Sequence, residues 1–187
     1  MAPALRRSKS GKYVMTEIIT ERLIMRPFKA SDINYLIHLK GSEENMAKTT
    51  VGAIDANAAS LQLDQYQNQW ATLGIGVWSL THRASGAFVG ECGFVARDDM
   101  EDISLRYTLC QGWWSQGLAP ESVKAAINCG LNDGGLSRIS AVALETNTRS
   151  CRILEAAGMV HVETDYAGIS GFRRYQITKQ QGSALAV

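Results

Sequence analysis

The sequence predicts a mixed α/β (α+β) fold, with a mostly antiparallel central sheet of about six to seven strands and helices on both faces. Three observations predict it. Residues 74–109 hold three strand-like runs joined by short turns, the pattern of antiparallel neighbours. The third run leads into a strongly amphipathic helix and then another strand-like run, a β-α-β unit whose strands must be parallel. The chain of 187 residues is 45% hydrophobic and 20% charged, enough to bury one core without staples.

The elements follow in order. Residues 1–16 are basic, small and aperiodic, and read as a disordered tail ahead of a single domain over 17–180, with 181–187 as a C-terminal tail. Ile18 to Phe28 alternates and reads as the first strand, with Pro27 marking its exit. Ser31-Asp32 offers an N-cap for a helix to about Lys40, with Ile33, Leu36 and Ile37 on one face. Asn57 to about Thr72 is a second helix. Gly74 to Thr81 and Ala87 to Val95 are strands around an Arg83-Ala-Ser-Gly86 turn, and Asp102 to Leu109 is the next strand.

Gly117 to Asn132 is the clearest helix, because Ala119, Val123, Ala126, Ile127, Gly130 and Leu131 share one face. Pro120 sits in its first turn, where a missing N–H costs nothing, and Gly134-Gly135 ends it. This helix should be the crossover of a right-handed unit completed by a strand from Ser137 to Leu144. Asn147 to Ala157 is a helix closed by Gly158, and Met159 to Tyr166 with Gly171 to Ile177 forms a last strand pair. The order is β-α-α-β-β-β-α-β-α-β-β.

Bulk properties remove several functions. Lys and Arg total 19 against 18 Asp and Glu, a net charge of +1 that points to neither nucleic acid nor an anionic membrane. No apolar run approaches the ~20 residues of a membrane span, and no h-region of a signal peptide is present, so the expected address is the cytoplasm. Cys92, Cys110, Cys129 and Cys151 stand alone, about twenty residues apart, as expected of buried reduced thiols. His38, His82 and His161 have no ligand spacing, so no metal is expected. Gly74-Ile-Gly76 lacks the third glycine of a dinucleotide fingerprint and precedes a strand.

The most informative stretch is Trp113-Trp114-Ser115-Gln116-Gly117-Leu118-Ala119-Pro120-Glu121. A tight glycine turn at a helix start leaves backbone N–H groups unpaired, and the helix dipole adds about half a positive charge there. Such a terminus suits a phosphate or pyrophosphate. Gln116, Gly117, Leu118 and Ala119 would supply the amides, and the small residues Gly117 and Ala119 let a ligand approach the backbone closely.

Three signatures carry a family resemblance. The strand Ile103 to Leu109 followed by Trp114-Ser-Gln-Gly-Leu-Ala119-Pro120-Glu121 resembles the acyl-CoA motif of the GNAT N-acetyltransferases, and of their RimJ/RimL branch in particular (W-G-K/R/Q-G-Y-A-T-E-A). Asn147-Thr-Arg-Ser150-Cys-Arg-Ile-Leu154-Glu-Ala-Ala-Gly158-Met159 resembles that branch's N-x-x-S-x-R-x-L-E-K-x-G-F. Thr20-Glu21-Arg22-Leu23-Ile24-Met25-Arg26-Pro27 resembles its opening T-E-R-L-x-L-R-P. Together they span roughly residues 18–178.

The resemblance implies an acetyl-CoA-dependent N-acetyltransferase acting on a primary amine. It implies that the strand at Tyr107, Thr108 and Leu109 splays from its parallel neighbour, so that free backbone groups bond the pantetheine arm as an added strand would. Asn147 is then a pantetheine contact, and also a natural helix N-cap. Ser150 is either the acid for the leaving thiolate or a first-turn cap. The acceptor side would be built around Asn45–Ile54 and Tyr166–Phe172, where no motif names the acceptor. The oligomeric state is equally unwritten, a homodimer being one option.

Two positions depart from the family pattern. The usual strand carboxylate falls on Ser104, and the usual glycine two positions later is Arg106. Asp102, on the same strand face, and Glu91, on the neighbouring strand, are the candidate bases, each equally readable as a solvated edge charge. A weak or water-relayed base suits a peptide α-amine with a pKa of about 7.7–8.0 better than a lysine-type amine near 10.4. The expected acceptor is therefore a protein or peptide N-terminal α-amine. Small amines (polyamine, amino acid, aminoglycoside) are the alternative acceptors. A non-catalytic acyl-CoA-binding module is the alternative of another class.

Overall fold

The computed structural model describes residues 4–7, 13–96, 103–164 and 170–180. Nine strands form one sheet in the order β1-β2-β3-β4-β5-β6-β7-β9-β8. They are β1 (Ala4–Arg7), β2 (Tyr13–Ile19), β3 (Leu23–Pro27), β4 (Val77–His82), β5 (Phe88–Ala96), β6 (Ile103–Leu109), β7 (Arg138–Leu144), β8 (Val160–Thr164) and β9 (Phe172–Thr178). The helices are α1 (Ile33–Gly41), the short α2 (Glu43–Met46), α3 (Ala56–Leu73), α4 (Leu118–Asn132) and α5 (Thr148–Ala156).

Every neighbouring pair is antiparallel except β6 and β7, the two strands that α4 connects. Helices α4 and α5 pack on one face, where Leu118, Val123, Ala126, Ile127 and Leu154 join the main core with Trp78, Phe94, Ile139 and Tyr175. Helices α1 and α3 cover the other face, and Leu36, Leu63 and Tyr66 pack there with Phe28 and Val77.

The strand count exceeds the expected six to seven for two reasons. The single run expected from Ile18 to Phe28 is a hairpin, with Ile18 opposite Met25 and Ile19 opposite Ile24. No glycine or proline marks the bend. Instead Thr20 closes it: its N–H donates to the Leu23 carbonyl at 2.9 Å, and its hydroxyl accepts from Leu23 N at 3.0 Å. Part of the segment 1–16 read as a tail is also strand: β1 pairs with β2, which begins at Tyr13 in a run rich in β-branched and aromatic residues. The C-terminal segment 181–187 and the candidate base Asp102 lie outside the described residues.

Candidate active site

The parallel pair β6/β7 stops early. Ile103, Ser104 and Leu105 face Ile139, Ser140 and Ala141, and no later residue of β6 pairs with β7. On its other side β6 stays paired with β5 through Leu109. A Cβ placed on Gly90 would lie 2.2 Å from the Thr108 carbonyl, so that carbonyl faces β5. By strand alternation the backbone groups of Tyr107 and Leu109 point the opposite way, into the gap where the strands part. The indole of Trp114 donates to the Leu109 carbonyl at 2.8 Å. Tyr107 therefore keeps the free backbone edge, while Thr108 spends its own on β5.

This gap opens a cleft of about 930 Å³, lined by β6, β7, the turn before α4, the start of α5 and residues 45–50. Its phosphate end is built by that turn. Ser115 and Gly117 both take left-handed backbone, at φ 64° and 77°, on either side of Gln116. Glycine is needed at the second: a Cβ there would stand 3.2 Å from the Arg22 guanidinium, besides the strain of a left-handed φ. Arg22 Nη1 donates to the Gln116 carbonyl at 2.7 Å. Because a trans peptide sets C=O and N–H in opposite directions, the Gly117 N–H points away from Arg22. The Leu118 and Ala119 amides begin α4 with no intrahelical acceptor.

A clamp holds this turn from behind. The Glu121 carboxylate accepts from Arg22 N at 2.8 Å and Arg22 Nε at 2.7 Å, and from the Thr20 hydroxyl. Burial alone would raise its pKa, but these donors hold the carboxyl below the ordinary value. The Thr20-Glu-Arg22 hairpin bend and the Pro120-Glu121 helix start are thus one unit, although about a hundred residues separate them. Arg149 donates to Ser115 Oγ at 3.1 Å, and Arg149 and Arg152 bring two cations into the cleft lining near the turn.

At the inner end Tyr107 Oη lies 2.7 Å from Ser150 Oγ, and both residues line the cleft. Burial pushes the Tyr107 phenol upward, so it stays protonated at neutral pH. Asn147 is the N-cap of α5, accepting from Ser150 N at 3.1 Å. Its amide also donates to the Lys48 carbonyl at 2.9 Å, which ties α5 to the segment after α2. Both ends of the Asn147 side chain are therefore engaged within the protein.

Of the two candidate bases, Asp102 lies outside the described residues, and only Glu91 can be compared with the cleft's described lining. Glu91 is fully buried and outside that lining. Its carboxylate pairs with buried Lys40, accepts from Tyr66 Oη at 3.2 Å and lies 3.9 Å from Arg106 Nε. It belongs to a charged cluster that joins α1, α3, β5 and β6. Arg106 reaches from this cluster into the cleft, with about a quarter of its side chain exposed (27%). Ser104 lines the cleft on the same strand face.

Sequence reasoning did not single out Arg22, Arg149, Arg152, Lys40 or Tyr66. Arg22 and Arg152 stand inside the quoted signatures, which marked them as pattern without a partner. For Lys40 and Tyr66 no local signal exists, since their partners lie 51 and 25 residues away. No cysteine forms a disulfide; Cys92, Cys129 and Cys151 are buried, and burial pushes the Cys92 and Cys129 thiols up to about 12. None is poised as a nucleophile.

A parallel pair that parts early, a helix start with unpaired amides and a hydroxyl pair at the inner end thus line one cleft. The chain matches the family model described as "Acetyltransferase (GNAT) domain" over residues 22–160, and it belongs to that family. It is 22% identical over 151 residues to "Uncharacterized protein YkkB" of Bacillus subtilis (strain 168), covering 80% of this chain and 88% of that protein. Among solved structures it is similar to a GNAT-family acetyltransferase from Bacillus anthracis, with a TM-score of 0.73 at 19% identity over 88% of this chain and 99% of that one. It is also similar to RimL, titled a ribosomal L7/L12 α-N-protein acetyltransferase in complex with coenzyme A. That TM-score is 0.72 at 12% identity over 86% and 96% of the two chains. The protein is an acetyl-CoA-dependent acetyltransferase of mixed α/β fold. No described helix is long and apolar enough to cross a membrane.

Proposed function

We propose that this acetyltransferase moves the acetyl group directly to a primary α-amine, such as a protein or peptide N-terminus. The observation that carries the reading is the charge of the cleft. Its described charged lining residues are Lys48, Arg106, Arg149 and Arg152, with no carboxylate among them. A cationic polyamine or aminoglycoside would meet only like charge among the described lining residues, and a lysine-type amine would find no described carboxylate to deprotonate it. An α-amine with a pKa of about 7.7–8.0 is already about 10–15% neutral at pH 7. It needs orientation more than a strong base.

The residues then divide the work. The amides of Gly117, Leu118 and Ala119, with Arg149 and Arg152, hold the phosphates of the donor. The Tyr107 backbone edge bonds its pantetheine arm in the manner of an added strand. Attack by the neutral amine forms the C–N bond and breaks the thioester C–S bond. Ser150 protonates the departing thiolate and is itself reprotonated from Tyr107, which recovers a proton from solvent. The proton lost by the new amide nitrogen leaves through water. Glu91 acts through structure, as the buried carboxylate that Lys40, Tyr66 and Arg106 surround.

Free-thiol release from acetyl-CoA against N-terminal peptides, spermidine, lysine, amino acids and an aminoglycoside tests this, with CoA affinity measured alongside. Turnover led by α-amines supports the reading. Fastest turnover on spermidine or a lysine side chain overturns it.

A further inference from the structure

We propose that Arg106 is an acceptor-binding residue that selects amines carrying a nearby carboxylate; this deepens the α-amine reading and rests on it. Four observations lead there. Arg106 stands on β6 next to Tyr107, whose hydroxyl touches Ser150 at the inner end of the cleft. Adjacent Cα atoms are about 3.8 Å apart, so the guanidinium and the thiolate acid share one level of the strand, on opposite faces. The face Arg106 occupies is the α1/α3 side, as its bond to Tyr66 Oη at 3.2 Å requires. The phosphate cradle lies beyond the far end of β6, at least three residues or about 10 Å further on. Arg106 is thus placed for the acceptor and away from the donor's phosphates.

The groups around Glu91 supply the second part. Lys40 and Arg106 share the single carboxylate of Glu91, while Tyr66 remains a neutral phenol that donates to Glu91 and accepts from Arg106. Glu91 is held closest by Lys40, whose pKa burial lowers, and stands 3.9 Å from Arg106 Nε, so the guanidinium has no carboxylate within hydrogen-bond distance among the described residues. Nη1 is directed to Tyr66 and Nε faces Glu91, while Arg106 also lines the cleft with 27% of its side chain exposed. An acceptor carboxylate received there forms a charge-assisted pair with Arg106. The serine at position 104 fits the same logic, because a carboxylate two residues away on that face would compete for Arg106.

Two sources present an α-amine beside a carboxylate: a free amino acid, and a peptide whose second residue is acidic. The experiment separates them with matched pairs assayed by thiol release, each rate normalised to its neutral-amine fraction. One pair is a peptide with Glu at its second position against the same peptide with Gln. The other is alanine against alaninamide. The expected result is a preference in kcat/KM of about 10- to 100-fold for the carboxylate form in at least one pair, the fold-change of one charge-assisted hydrogen-bonded contact. Arg106→Gln should bring that ratio to near one, chiefly through KM, and Arg106→Lys should keep part of it.

Equal rates within both pairs, or faster turnover of the neutral forms, overturn the proposal while leaving α-amine acetylation standing. A folded Arg106→Gln enzyme that retains the preference overturns the assignment to Arg106. Should that variant fail to fold, the wild-type pairs still decide whether the preference exists. Absence of thiol release with every amine, despite CoA binding, overturns the acceptor reading as well.

Discussion

The Tyr107 hydroxyl sits 2.7 Å from Ser150 Oγ, across a gap in chain position of 43 residues. On the function proposed above, the pairing makes one proton-donating unit of two separate motif residues. Either atom can donate at that distance, but burial keeps the phenol protonated, so the sense Tyr107 to Ser150 to thiolate is always available. Ser150→Ala should lower kcat by about 10²- to 10⁴-fold, the usual range for a positioned acid, with CoA affinity little changed. Tyr107→Phe should lower kcat less. Because the phenol is shifted upward, no alkaline fall in kcat between pH 7 and 10 should trace to Tyr107. Overlapping pH–rate profiles of wild type and Tyr107→Phe, apart from a constant factor, are the expected outcome.

Gly117→Ala attacks the cradle. A left-handed φ of 77° costs an alanine about 1–2 kcal/mol, and its Cβ would press on Arg22 at 3.2 Å. The turn relaxes, the amides lose their aim, and CoA binding should weaken about tenfold, as 1.4 kcal/mol implies. Calorimetric titration with CoA measures this. Unchanged affinity would mean that the turn does not hold the phosphates.

The Arg22–Glu121 clamp makes a pH-dependent prediction. The folded-state pKa of Glu121 lies below the ordinary 4.5, so its stabilisation is fully present above that value and fades as pH falls through the folded pKa. In urea denaturation, Glu121→Gln should be less stable than wild type at pH 7, and the difference should shrink below about pH 4. A difference that grows on acidification would contradict the clamp.

Removing Glu91 should damage folding first. Glu91→Gln leaves Lys40 and Arg106 without their shared anion, a loss of about 3–5 kcal/mol for a broken buried pair. Adding Lys40→Met should recover part of it, giving a strongly non-additive cycle in thermal or urea unfolding. Single and double variants that sum additively would rule out direct coupling between the two side chains.

Much of the fold was legible because it depends on local repeats. The period of α4, the proline in its first turn, the capping asparagine of α5 and the alternation of β6 are properties of neighbouring residues. The phosphate turn was legible for the same reason: Gly117, a helix start and small flanking residues all fall within one short segment. The hairpin at Thr20 was missed because its bend contains neither glycine nor proline. It is stabilised by a threonine hydroxyl and by Glu121 from a helix far along the chain.

The site divides along the same line. By itself the sequence determined where a glycine turn opens a helix, which hydroxyl stands one turn into α5, and that position 104 holds no carboxylate. Only the tertiary structure decided that Glu91 is buried under Lys40 and Tyr66, that Trp114 occupies the Leu109 carbonyl, and that Arg106 alone of its cluster reaches the cleft. Periodicity fixes the face on which a side chain stands. What that face meets depends on elements brought together from distant parts of the chain, and on whether burial leaves a charge in need of a partner.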